Sequence, residues 1–330
     1  MASQNGQVAD LKFAEREETV SHDENIQDKP DNKDIEKADL TIDTDAPSDT
    51  EILDALEKFT TLPKILREGI LLTGGGVAIL LQAAKAGMAG SSGSQQSENL
   101  AEKLFEGLRT TVIYMYGLTF GTREERKKIL ERINNSSSSS SNRQGAGQGK
   151  GHDYLRDYYP EDPQLRLWIA ATLYATGTDF FQRVFEKVDF HRAQRVYREF
   201  TVLTVALRLP RGVWPENRNA FWAYWDEEVE KLNVDPHARP VVHDLKAYAD
   251  VPRWVKLVRR PFIRVVTPEM LPRHVREQYG LRSTATSRFL YRVAIGGAKA
   301  IYPTLPKKIR THPLNRALRQ LRGEISSGAL

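Results

Sequence analysis

The side chains of this chain that could do chemistry are hydroxyls and cations set among apolar residues, and the sequence contains no thiol. Thr111, Tyr114, Met115 and Leu118 recur at three- and four-residue spacing, which puts them on one face of a helix. Leu167, Ala170, Ala171 and Tyr174 repeat that pattern further along. Taken alone, each stripe reads as core. If the two stripes face a common pocket, Thr111, Tyr114 and Tyr174 become donors that can polarise a carbonyl, and the paired alanines open volume beside them. Arg109 adds a guanidinium on the first helix. Lys85 ends an apolar run; buried there it would serve as a donor or a base, and reaching outward it would only snorkel to solvent.

Metal chemistry has few handholds. Without cysteine there are no disulfides, zinc–thiolate sites or thiolate-ligated haem. His152, just beyond a serine-rich run, and His191, at the start of a helical pattern, are the two histidines that could ligate iron. Both read more simply as exposed or capping residues. His237, His243, His274 and His312 lie in polar contexts and show no His-x-x-x-His spacing. The metal-ligand expectation is therefore none.

The elements that must position these groups are helical. A 330-residue chain with 40% hydrophobic content can fill a large core. From Ile52 onward the apolar residues recur at helical intervals, and no segment alternates with period two. Helices are predicted near 51–59, ending at Leu62-Pro63, then 102–120, 123–133, 164–186, 191–207, 216–232 and 241–248. Gly74 to Gly76 precede an apolar helix without the rest of a phosphate-binding loop, so the glycines point to close helix packing. The expectation is one all-α domain over residues 51–330. It comes after a disordered acidic arm at 1–50 and carries a flexible Ser/Gly-rich loop at 136–151.

Charge is distributed unevenly. The net charge of +5 combines the acidic first 50 residues with a basic remainder. No aromatic platform or nucleic-acid-binding module accompanies the arginines, so no nucleic-acid partner is expected. The apolar run Ile70–Ala86 is interrupted by glycines and carries Lys85, which makes it a poor membrane span. The N-terminus lacks a signal-peptide pattern, so a cytoplasmic protein is expected. Peripheral membrane contact, if any, is expected through the basic C-terminal region. The sequence leaves the oligomeric state open.

Several motifs in order resemble a known family. Arg67-Glu68-Gly69-Ile70-Leu71-Leu72-Thr73-Gly74-Gly75, then Leu80-Leu81-Gln82-Ala83-Ala84, Phe120-Gly121-Thr122, Asp162-Pro163 and Trp168-Ile169-Ala170-Ala171-Thr172-Leu173 resemble segments of one family. So do Phe221-Trp222-Ala223-Tyr224-Trp225 and Pro252-Arg253-Trp254. That family joins the rubber oxygenases (latex-clearing proteins) to the fungal oxygenase of mycophenolic acid biosynthesis. The resemblance implies a globin-like helical core built around a deep pocket, and haem b as the family cofactor. It also exposes departures. Two positions that carry histidine in the family fall on Ser137 and Ala170, Lys85 replaces a third histidine, and the arginine of an Arg-x-x-x-Thr pair becomes Gly107 while Thr111 remains.

Alanine has no lone pair to offer iron. The resemblance then implies a pocket without its metal, lined by Met115, Leu118, Leu167, Trp168, Ala170 and Ala171, with Thr111, Tyr114, Tyr174, Lys85 and Arg109 as candidate donors. Such a site suits a cofactor-independent enzyme that binds an apolar terpenoid or polyketide and promotes a cyclisation or isomerisation, as in a Diels–Alder reaction. A haem-b oxygenase with a displaced ligand and a non-catalytic carrier of hydrophobic ligands are the competing readings.

Overall fold

A computed structural model describes residues 47–88, 100–138, 162–185, 187–210, 212–242 and 264–328. The acidic arm before residue 47, most of the 136–151 loop, His152 and the predicted 241–248 helix beyond Val242 lie outside the described residues. Within them every regular element is helical and there is no strand, as the periodicity predicts.

The helices begin where short polar side chains can take up free N–H groups. In α1 (Asp49–Glu57) Ser48 and Glu51 form a reciprocal capping box. Leu62-Pro63 does not end that helix. It opens a second one, α2 (Leu62–Leu66), because proline in the first turn gives up an N–H that has no helical partner anyway. A 3₁₀ turn (Gly69–Thr73) leads into α3 (Gly75–Met88), and α4 (Leu100–Phe120) and α5 (Arg123–Ser138) come next.

Asp162 caps α6 (Pro163–Val184) through Gln164 N–H at 2.8 Å, Asp189 caps α7 (Phe190–Ala206), and Asn217 caps α8 (Arg218–Lys231). After helical residues 264–270 come α9 (Arg273–Gln278), α10 (Ala285–Ile301), the one-turn α11 (Lys307–Arg310) and α12 (His312–Ser326).

The apolar faces join in one contiguous core. Its centre is α6, which packs on α3, on α10 and, through aromatic rings, on α7 and α8. Gly74 explains how closely the α3 segment approaches. A methyl group there would stand 3.4 Å from the Thr176 carbonyl of α6 and 3.3 Å from the Leu71 carbonyl. That is the packing role expected of the glycines. On the other side, α4 and α5 are covered by α12, whose Leu321 reaches Gly117.

One buried carboxylate organises the entry to the domain. Glu199 of α7 is fully buried and accepts from the N–H groups of Thr60 (2.9 Å), Thr61 (3.0 Å) and Leu62 (2.6 Å), with the Thr60 hydroxyl at 3.2 Å. Thr61 has no side-chain cap for α2, so Glu199 supplies it from across the core. Glu199→Ala would strand the buried Leu62 N–H and leave the Thr60 and Thr61 donors, whose bonds to the carboxylate are part-buried, without their partner. We expect it to cost about 3–5 kcal/mol, and Glu199→Gln about half of that, read by chemical denaturation. Equal stability in both variants and the parent would show that this cap is not structural.

Candidate functional site

A cleft among the described residues lies where α4, α6 and α7 meet. It is lined by Met115 of α4, by Arg166, Ala170 and Leu173 of α6, by Phe200 and Thr204 of α7, and by Leu207 and Leu209 just after α7. The lining has helical periodicity. Residues 166, 170 and 173 share one face of α6, and 200, 204 and 207 share one face of α7. Between Leu207 and Leu209, Arg208 takes a left-handed backbone conformation (φ 62°), unusual for a residue with a Cβ. That turn ends α7, with Leu209 N–H bonded to the Thr204 carbonyl at 3.0 Å, and brings both leucines to the cleft. The Arg208 guanidinium is tied to Asp49 at 2.5 Å, so α1 helps hold the turn.

The cleft is lined mostly by carbon. Thr204 spends its hydroxyl on the Thr201 carbonyl at 2.8 Å. Arg166 is half-buried at the rim and reaches the Arg208 carbonyl at 3.4 Å. This cleft is not the open, deep pocket that the resemblance implies. The cavity volume is ≈ 10 Å³, about the room needed by a single water. Met115, Leu173 and Phe200 fill the space.

The structure brings together only part of the expected site. Ala170 and Met115 meet across the cleft, so α4 and α6 do face each other there. The other residues go elsewhere. Leu167, Trp168 and Ala171 are buried in the α6 core, Trp168 donating to the Leu81 carbonyl at 3.1 Å. Tyr174 is not at the cleft but at the hub of an aromatic cluster, with Phe221 at 4.8 Å, Phe200 at 5.2 Å and Tyr197 at 5.5 Å between ring centroids. Leu118 and Tyr114 are buried and also lie away from the cleft lining. Thr111 donates its hydroxyl to the Gly107 carbonyl one turn back, at 2.9 Å, a bond internal to its own helix.

Arg109 sits on the exterior, bonded to Glu106 at 3.2 Å and to Gln320 at 3.0 Å. The guanidinium at the cleft is instead Arg166, a residue outside the sequence-based expectation. A signal for it exists, since 166, 170 and 173 are as regular a stripe as 167, 170 and 174. The larger apolar residues mark the other flank of Ala170, and that flank is the core side.

Lys85 neither points into the cleft nor snorkels free. Its ammonium is ion-paired with Glu228 of α8 and lies 5.3 Å from the centre of the Trp168 ring, which stacks on Trp225. The pair ties α3 to α8 over the tryptophans. It also perturbs Glu228. Burial resists ionisation of this carboxyl, but hydrogen bonds and charge from Lys85 and Lys231 outweigh that and hold its pKa below the usual carboxylate range.

Among the described residues the cleft offers haem no axial histidine. Ala170 offers no ligand atom, and Ser137 falls in the last turn of α5. His191 and His312 are exposed, and His274 Nε2 lies 2.8 Å from the Val229 carbonyl. No cluster of three or more His, Asp or Glu side chains in the described residues could hold a metal ion. A cavity of ≈ 10 Å³ is also far too small for a macrocycle. The residues described do not fit the group.

Fold and cleft thus define an all-helical domain with a half-closed apolar cleft and no histidine in its lining. By sequence the chain belongs to the family described as ER-bound oxygenase mpaB/B'/rubber oxygenase, catalytic domain, whose model matches residues 63–300. It is also similar to two uncharacterized mycobacterial proteins, one from Mycobacterium bovis and one from Mycobacterium tuberculosis. Each is 27% identical over 166 residues, covering 50% of this chain and 62% of the relative, so the match spans less than two thirds of either relative. No solved structure matches significantly.

The ion pair gives a pH test. Because Glu228 has a depressed pKa in the folded state, its contribution is present above the unfolded value of about 4.3 and is lost as pH falls through the folded value. We expect Glu228→Gln to lose about 1–2 kcal/mol at neutral pH and to converge with the parent in acid, as read by denaturation at a series of pH values. A gap independent of pH would contradict the pairing.

Proposed function

We propose that this oxygenase-family domain binds a small, mainly apolar organic molecule carrying one hydrogen-bond acceptor, and promotes its cyclisation or isomerisation without haem. The observation that carries this reading is Ala170, an alanine opening on a carbon-lined cleft with a guanidinium one turn away at the rim. Met115, Leu173, Phe200, Leu207 and Leu209 would contact the apolar body. Arg166, which already reaches the Arg208 carbonyl at 3.4 Å, would exchange a protein contact for one to a ligand carbonyl or carboxylate. Entry requires the side chains of Met115 and Leu173 to swing aside, and methionine repacks at low cost. A cyclisation of a confined polyene or enone asks for no more than this: a fixed near-attack conformer and one donor to polarise a carbonyl.

Family membership supports a second reading, a haem-b oxygenase with its ligand outside the described residues, such as His152. Two measurements on one preparation separate the readings. Protein from cells supplied with haem precursor is examined for a Soret band, and decanoate, an apolar chain with one carboxylate, is titrated by calorimetry. We expect no stoichiometric Soret band and saturable decanoate binding. Ala170→Phe should weaken that binding by at least about tenfold, because the ring takes the space that Met115 and Leu173 would vacate for a ligand. It should lower the melting temperature by only a few degrees, because Ala170 is itself only half-buried and the ring can lean toward solvent. Stoichiometric haem would overturn the cofactor-free reading. Unchanged decanoate binding in Ala170→Phe would move the ligand site elsewhere.

A further inference from the structure

The outward face of α10 is built the wrong way round for a helix facing water. Phe289, Leu290, Val293 and Ile301 are 60%, 45%, 55% and 61% exposed, and Ile309 of α11 is 50% exposed. Along the helix, Phe289, Val293, Gly296 and Ala300 make one line, and Leu290, Gly297 and Ile301 the line beside it. Nothing lies within 4 Å of where a Cβ would stand on Gly296 or Gly297, so the face is open along its length. These residues present no side-chain donor or acceptor.

This face is held rigidly from behind. Tyr291 on the inner side accepts from Arg183 at 2.9 Å, and Arg183 is paired with the buried Asp179 of α6 at 2.7 Å. The N-terminus is capped by Thr284, and the buried carboxylate of Glu269 accepts from Ser283 at 2.9 Å and Ser287 at 2.5 Å. Beyond the C-terminus, the Tyr302 hydroxyl accepts from Ile70 N–H at 3.1 Å, and Arg310 pairs with the buried Glu68 at 2.9 Å. The exposure of the stripe is therefore fixed by the fold and does not come from a frayed helix.

Cations flank it on one side. Arg288, Arg292 and Lys299 run along one edge of the stripe, and Lys307 and Lys308 sit beside Ile309. None of these five has a carboxylate within ion-pair distance among the described residues. Residues 281–330 contain ten Lys and Arg against one acidic residue, Glu324.

We propose that this face docks on an anionic lipid surface, with Phe289, Leu290, Val293 and Ile301 entering the acyl boundary and the flanking cations meeting lipid phosphates and carboxylates. The pairing of an open apolar stripe with an unpaired basic edge is what such an interface selects. A second copy of the chain fits poorly, because neither edge of the stripe carries a carboxylate to meet the other copy's cations. The contact is peripheral: no helix of the described residues is long and apolar enough to cross a membrane.

The test is flotation of the full chain with phosphatidylcholine vesicles, with and without phosphatidylserine, at low and high salt. Binding to the phosphatidylserine vesicles is expected, weakened by salt because the charge contribution is screened over about 10 Å at 0.1 M. The double variant Phe289→Ser/Val293→Ser, and separately Arg288→Glu/Arg292→Glu, should each reduce binding by about tenfold or more, with melting temperature unchanged because these side chains face outward. No binding to either vesicle overturns the proposal. So does binding that neither variant changes. Self-association that the first variant abolishes, seen by sedimentation without vesicles, would assign the face to a second copy and overturn it as well.

Discussion

The constraint on which this structure turns is the seam between α3 and α6. Two helices can approach this closely only where side chains are absent or make hydrogen bonds across the gap. Gly74 removes one obstacle, and buried hydrogen bonds cross the seam among its apolar contacts. Gln82 donates to the Thr172 hydroxyl at 2.8 Å, Thr172 donates to the Ile169 carbonyl at 2.8 Å, and Trp168 donates to the Leu81 carbonyl. Fully satisfied buried bonds of this kind fix a rotation as well as a distance, because a small twist would leave a donor stranded. The rotation of α6 about its axis is therefore set, and with it the direction in which every residue on that helix points.

That rotation divides α6 into a wet and a dry side. Leu167, Trp168, Ala171, Tyr174 and Ala175 go inward, while Arg166, Ala170, Leu173, Gly177 and Phe181 form the half-exposed line between core and solvent. The cleft lies on this line, where a small residue leaves a gap that α4 and the end of α7 do not fully close. Further along α6, Asp179 and Arg183 hold the inner face of α10, so one helix supports the cleft near its start and the apolar outer stripe near its end.

Most helices between Glu51 and Leu232 and the family are legible in the residues, through periodicity and motif order, whereas α9 to α12, in a stretch punctuated by prolines, are not among the predicted helices. The site is less legible for a physical reason. A stripe such as Leu167, Ala170, Ala171 and Tyr174 marks a helix face that wants to be buried, but it does not say against what; the answer is other aromatic rings. Thr111 shows a related limit, since a buried threonine can satisfy itself on its own helix and needs no ligand. Lys85 finds its partner, Glu228, 143 positions away, a pairing that no local pattern encodes. Leu62-Pro63 misleads because proline marks a helix start as readily as a stop.

If the cleft is the binding site, a ligand must enter between Met115 and Ala170. The sequence makes a direct measurement available, because it contains only four methionines: Met1, Met88, Met115 and Met270. Methyl-labelled methionine gives one signal for each, and Met115→Leu assigns the one at the cleft. On titration with decanoate, the Met115 methyl should shift and saturate with the calorimetric affinity while Met270, buried elsewhere in the core, stays still. A Met115 signal unmoved at saturating decanoate would contradict entry at this cleft.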